Sequence, residues 1–210
     1  MIKKNLKILI ITSVVILLPI LAGIVLWDKL PQRIPTHWNA AGEIDGWSGK
    51  PFAVIGIPFM MLAFQWMCVL ATSTDPKKHN HSEKILHFIF WLFPVITVLL
   101  STLTYCAALG NEVRINVIVP VLIGLLFVII GNYLPKCRQN YTIGIKIPWT
   151  LNSEENWNRT HRLAGWLWVI CGFIIMLSGL FNCFAIFLAV VLIMILVPFV
   201  YSYILHRKGI

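Results

Sequence analysis

The chain is 210 residues long, 59% of them hydrophobic and only 12% charged, with a mean hydropathy of +0.82. Soluble domains run about 45–50% apolar and about 25% charged, so a disordered chain, a collagen-like chain, a disulfide scaffold and an ordinary cytosolic enzyme are excluded. The net charge of +9, from 17 Lys+Arg against 8 Asp+Glu, fits nucleic acid, an anionic membrane surface or membrane topology.

Six blocks, near 8–27, 51–71, 85–108, 115–134, 163–182 and 184–205, reach the roughly 20 apolar residues that a membrane-crossing helix needs, and none has an interior charge. The first follows Lys3, Lys4 and Lys7, as the apolar core of a signal peptide would. It is longer than such a core and lacks a small-residue cleavage site, so it reads as an uncleaved span. Thirteen of the 17 basic residues fall in the N-terminal tail, loop 72–84, loop 135–162 and the C-terminal tail; the other four fall in the alternate loops. That alternation predicts cytoplasmic termini and explains most of the +9 without a direct nucleic-acid partner. The expected architecture is an all-α integral membrane protein of one six-helix domain, 1–210, with an extracytoplasmic loop motif at 28–50 and a cytoplasmic one at 135–162.

The first loop, 28–50, is punctuated by Pro31, Pro35, Gly42, Gly46 and Gly49, which excludes a helix. Ile34–Trp38 and Glu43–Trp47 flank Asn39-Ala-Ala-Gly42, a pattern that predicts a small β-hairpin. Trp38 and Trp47 suit headgroup anchoring or contact with a hydrophobic peptide. His37 with Glu43 or Asp45 falls short of a recognised metal-ligand set, so no metal and no cofactor is expected.

Within the spans the deepest polar residues are neutral: Gln65, Thr97, Ser101 and Thr102. Ion-coupled transporters keep ionisable groups at membrane depth, and none is found here. Pro19, Pro58, Pro94, Pro120 and Pro198 lie in or near spans and favour local kinks. His79-Asn-His81, in a short polar loop, reads as incidental. The five cysteines form no C-x-x-C pair and read as small fillers.

The fifth span carries Ala164-Gly165, Cys171-Gly172 and Ser178-Gly179 at seven-residue intervals, one stripe along one face. The fourth carries Gly124 and Gly131. Such faces let helix backbones approach closely, which predicts packing of the fourth span on the fifth, although a homodimer would use the same faces.

Loop 135–162 alternates Ile143, Ile145 and Ile147 with Gly144 and Lys146, the period of a strand or of an extended segment on the inner leaflet, ended by Pro148. Asn152-Ser-Glu-Glu155 predicts a helix start running through His161 into the fifth span. Trp157 and His161 share a face, as do Arg159 and Arg162. A basic aromatic collar at the headgroups accounts for Trp157, Arg159 and Arg162. Asn140, Gly144, Pro148, Trp149 and Thr150 ask instead for a specific loop fold.

Leu30-Pro-x-x-Ile-Pro-x-His-Trp-Asn-x-x-Gly-x-x-Asp-Gly-Trp-x-x-Lys50 resembles a short segment, catalogued as a domain of unknown function, in bacterial membrane proteins. Gly131-Asn-Tyr-Leu-Pro-Lys-x-Arg-x-Asn-x-x-Ile-Gly-Ile-Lys-x-Pro-Trp-Thr-Leu151, with Trp157, Thr160-His-Arg162 and Gly165, resembles the C-terminal signature of the SdpI family of bacterial membrane immunity proteins. Lys146-Ile147 departs from the Arg-Thr expected before Pro148. The resemblance implies protection of the host from a secreted antimicrobial peptide toxin at the bacterial cytoplasmic membrane. In the family's prototype it also implies signal transduction, by holding a small winged-helix autorepressor at the membrane. It points to His37, Trp38, Asn39, Gly42, Asp45, Gly46 and Trp47 for the toxin, and to Arg138, Asn140, Gly144, Pro148, Trp149, Thr150, Trp157 and His161 for the cytoplasmic partner. Gly124, Gly131, Gly165, Gly172 and Gly179 would pack the helices, and their seam is the candidate element for coupling the two faces. No catalytic residue is assigned, since no nucleophile–base pair, phosphate loop or HExxH occurs. The alternatives are a transporter or flippase of a peptide or lipid-like compound, and a metal-dependent membrane enzyme built on His37 or on His161 with Glu154 or Glu155.

Overall fold

The computed structural model describes residues 2–210. Its six long helices are α1 (Ile2–Val25), α2 (Ile57–Thr74), α3 (Glu83–Ala108), α4 (Ile115–Tyr133), α6 (Glu154–Leu180) and α7 (Phe184–Arg207), with a short helix α5 (Pro148–Asn152) before α6. All six long helices are long and apolar enough to cross a membrane, α2 together with the π-helical turn Phe52–Gly56 and α4 together with the turn Leu134–Lys136. The protein is a multi-pass membrane protein. Large apolar side chains such as Leu21, Phe59, Trp166 and Leu192 point outward from the helices, as expected where the solvent is lipid. Pro19, Pro94, Pro120 and Pro198 lie inside helices, while Pro58 is at the start of α2.

The chain gathers into two compact units, Met1–Ser73 with Leu86–Arg114, and Thr74–Ile85 with Ile115–Ile210. In the first, β1 (Arg33–Trp38) and β2 (Ile44–Gly49) form an antiparallel hairpin between α1 and α2. Its base is anchored. Ile34 is fully buried among Leu30, Ala53, Val54 and Tyr105, and the buried Lys50 donates from Nζ to the Trp27 carbonyl at 3.0 Å. That bond satisfies a carbonyl just past the end of α1, one of the groups a helix terminus leaves unpaired. Within the bundle Gln65 Nε2 donates to Thr12 Oγ1 at 2.7 Å and Tyr105 Oη to the Pro19 carbonyl at 3.2 Å.

In the second unit α4 lies along α6 on the glycine faces. A Cβ on Gly131 would come within 2.8 Å of the Gly165 carbonyl; one on Gly124 would run into the Gly172 carbonyl, and one on Gly179 into Pro120 at 2.7 Å. The predicted pairing of the fourth and fifth spans is therefore made within the chain, backbone against backbone. Cys171 and Ile175 of α6 pack with Val190 and Met194 of α7. The start of α6 and the end of α7 share a buried polar cluster. Asn156 donates to the Ser202 and Ile210 carbonyls at 3.0 and 3.2 Å, and its Oδ1 accepts from Ser202 Oγ and Thr160 Oγ1.

Candidate functional site

The hairpin supplies the first group of side chains. Pairing of Ile34 with Ser48 and Pro35 with Trp47 gives way to a shifted register at His37–Gly46 and Trp38–Ile44. The turn is built by Asn39, whose Oδ1 accepts from the backbone N–H of Ala41 (2.9 Å) and Glu43 (3.0 Å) while its Nδ2 donates to Glu43 Oε2. Gly42 closes the turn at φ +84°, a left-handed conformation that glycine adopts without penalty. The His37 side chain lies across Gly46, where a Cβ would come within 2.8 Å of His37 Cβ. His37 Nδ1 meets Asp45 Oδ1 at 2.5 Å with both side chains solvent-accessible, 71% and 44%. Trp47 is 51% exposed and Trp38 half-buried. The sequence-predicted residues thus come together on one small anchored surface. Glu43 is engaged by Asn39 rather than by His37. Long-range attraction is weak here, because Asp28, Glu43 and Asp45 balance Lys29, Arg33 and Lys50.

The second group lies in loop 134–153. The isoleucine alternation does not form a strand; residues 141–144 are a run of bends. A strand needs a partner for its ladder, and here side chains take the backbone groups instead. Asn140 sits at the centre, with Nδ2 donating to the carbonyls of Arg138 (2.8 Å) and Ile143 (2.9 Å) and Oδ1 accepting from Thr142 and Ile143 N–H. Thr150 Oγ1 accepts from Ile147 N–H at 3.1 Å and lies 2.8 Å from the Ile145 carbonyl. Pro148 occupies the first turn of α5, where its missing N–H costs nothing. Helix α6 is capped by Ser153, whose hydroxyl accepts from Asn156 N–H; Asn152 ends α5.

Trp157 is not a headgroup anchor. It is fully buried, stacked on His161 at 4.0 Å, and its Nε1 donates to the Cys137 carbonyl at 2.7 Å. His161 Nε2 accepts from Ile145 N–H at 2.9 Å, which leaves Nδ1 to donate to the Trp157 carbonyl at 2.8 Å. Both nitrogens are committed to backbone, so His161 has no lone pair left for a metal. Gly144, at φ +120°, passes so close that a Cβ would fall within 2.5 Å of His161 Nε2 and 2.9 Å of the Trp157 ring. Trp149 packs against Phe199, Tyr203 and His206. Arg138 contributes its carbonyl and leaves its side chain exposed. Arg159 pairs with Glu155 at 2.5 Å on the surface. Burial pushes the Cys137 thiol up to about 11, against the opposing hydrogen bond from Asn140. Among the described residues no group of three His, Cys, Asp or Glu gathers to hold a metal ion.

Residues 75–81 complete this loop, and the sequence reading missed them. Asp75 Oδ2 accepts from Tyr141 N–H (3.0 Å) and Thr142 Oγ1 (2.8 Å), while Oδ1 accepts from Lys77 N–H (2.7 Å). His81 Nε2 lies 3.3 Å from Thr142 Oγ1 and 3.4 Å from Asp75 Oδ2. Lys77 Nζ donates to Gln139 Oε1, Asn80 donates to the Gln139 carbonyl, and Gln139 Nε2 donates onward to the Thr150 and Leu151 carbonyls. Desolvation opposes ionisation of Asp75, yet the hydrogen bonds from Lys77, Thr142 and Tyr141 and the nearby His81 together hold its pKa below the ordinary 3.8. Burial lowers the His81 pKa, outweighing the attraction of Asp75. One signal was available. Asp75 directly follows α2, where a carboxylate opposes the helix dipole, so it needed another partner.

The loop, α6 and most of α7 fall in one recognised segment, since residues 136–202 match the model described as the SdpI/YfhL protein family. This segment is similar to the SdpI/YfhL family. The hairpin falls in another, residues 14–62, which match a domain of unknown function, DUF1648. Over 209 residues the chain is 29% identical to the immunity protein SdpI of Bacillus subtilis strain 168, covering 98% of this chain and 97% of that protein. No solved structure matches. The SdpI/YfhL loop is thus the one folded by Asn140, Thr150, Trp157 and His161, and the span-packing glycines Gly165, Gly172 and Gly179 lie in the same segment.

Proposed function

We propose that this chain is an integral membrane immunity protein that protects its cell from a secreted peptide toxin. The single observation that carries the reading is the end-to-end similarity to a protein named for immunity. With the termini cytoplasmic, as the basic residues favour, the hairpin faces outward. It offers an exposed Trp47, a half-buried Trp38 and the accessible His37–Asp45 pair on a base fixed by Ile34 and Lys50. Rigid aromatic residues on an anchored turn suit recognition of an amphipathic peptide, where tryptophan supplies contact area at low entropic cost. Near-neutral local charge directs capture toward short-range contacts rather than electrostatic steering.

On the cytoplasmic side, the 135–162 loop is the surface for a signalling partner, an autorepressor in the fullest form of the proposal. Its exposed Arg138 and Lys146 surround a core held by backbone-directed hydrogen bonds. The test is survival. The chain is expressed in a B. subtilis strain deleted for its own SdpI and grown beside the parent strain. Restored survival is expected; unchanged killing with the chain present in the membrane refutes immunity toward that strain's toxin.

A further inference from the structure

The two recognised segments end at residue 62 and begin again at residue 136, and the stretch that reaches into the SdpI/YfhL loop comes from the gap between them. The side chains of Asp75 and His81 are 0% and 1% exposed. They contact the family loop at Tyr141 and Thr142, while Lys77 and Asn80 contact it at Gln139. The loop is therefore built by two segments more than 50 residues apart in sequence.

We propose that residues 75–81 are a releasable clasp that holds the SdpI/YfhL loop closed, with Asp75 as its fastener and His81 as the feature that keeps it openable. This deepens the reading of loop 135–162 as a signalling surface and rests on it for biological meaning; the clasp itself is tested without toxin or partner. The Asp75 carboxylate receives three donors, two of them from the loop. Because Thr142 Oγ1 donates to Asp75, His81 acts from a protonated Nε2, which leaves Nδ1 as a bare acceptor. Nδ1 is buried and has no hydrogen-bond partner. A buried acceptor without a donor is a standing cost that water would relieve once the segment lifts. Fastener and orphan sit within one cluster, as expected of an element with two accessible arrangements. Release would uncover Cys137, Asn140 and Gln139, all buried in the closed loop.

Cys137 is the built-in reporter. The full-length protein in membrane vesicles is treated with a membrane-permeant maleimide, and labelling is followed cysteine by cysteine by mass spectrometry, with the buried Cys171 of α6 reporting general unfolding. Asp75→Asn keeps one acceptor where the carboxylate offered two oxygens to three donors, so Cys137 is expected to label at least tenfold faster while Cys171 does not change. His81→Phe keeps a ring in place and removes the orphan nitrogen, so it labels no faster than the native chain. Asn140→Ala opens the loop from within and calibrates the fast limit. Hydrogen exchange at the Tyr141 and Thr142 amides gives a readout independent of the thiol. The proposal is overturned if Asp75→Asn leaves both Cys137 labelling and these amides as in the native chain, or if His81→Phe opens the loop as far as Asp75→Asn does.

Discussion

Asn140, Thr150 and His161 show how single side chains shape the SdpI/YfhL loop. Each answers backbone groups that a partner strand would otherwise have satisfied. The Ile143-Ile145-Ile147 alternation was legible in the sequence, but the absence of a pairing strand was not. Likewise the Trp157–His161 spacing gave their shared face, whereas only the fold shows that the Trp157 indole is buried. Gly144 is the tightest point. Gly144→Ala adds left-handed strain and a collision with His161 and Trp157, costing roughly 1–3 kcal/mol, visible as a lower melting temperature and lost amide protection at Ile145. Acid weakens the same loop. The lowered pKa of Asp75 gives stability that is full above the ordinary 3.8 and is lost as pH falls through the folded value. The lowered pKa of His81 gives stability that is full above 6.5 and declines below it. With Lys77 and His79 as the neighbouring charged or titratable groups, protection of the Tyr141 amide, corrected for intrinsic exchange, should be flat above neutrality and decline below 6.5.

Hairpin and helix seam were the most readable elements, because both are written in local spacing. Asn39 and Gly42 announced the turn, and seven-residue steps of glycine announced the α4–α6 face. The clasp was not readable, since Asp75 and Thr142 lie 67 positions apart and no periodicity links them. Asn39→Ala removes the bonds that shape the turn, each worth about 0.5–1.5 kcal/mol. The variant hairpin is expected to become sensitive to protease added outside intact cells while the native one resists. Gly172→Leu would drive a side chain into the Gly124 carbonyl and Val128. Overpacking of this kind costs about 1–3 kcal/mol or more, measured as a lower denaturant midpoint in detergent. Leu125→Ala, on an exposed face of α4, should leave that midpoint nearly unchanged.

Across the whole molecule, the excess of basic residues reports orientation first. Their distribution favours the hairpin outside and the 135–162 loop inside, an assignment checked by whether cleavage of the Asn39→Ala hairpin needs protease on the outer side. On the proposed function, an anchored outer hairpin meets the toxin and a two-segment inner loop carries the response. The central claim, protection through the hairpin, is tested most directly by survival of the SdpI-deleted B. subtilis strain beside its parent. Three forms are compared at equal membrane abundance: the native chain, Trp47→Ala, and the double variant His37→Ala with Asp45→Ala. The account predicts that the native chain restores survival and that both surface variants lose at least ten-fold of it. Full protection by both variants, or none by the native chain, would contradict it.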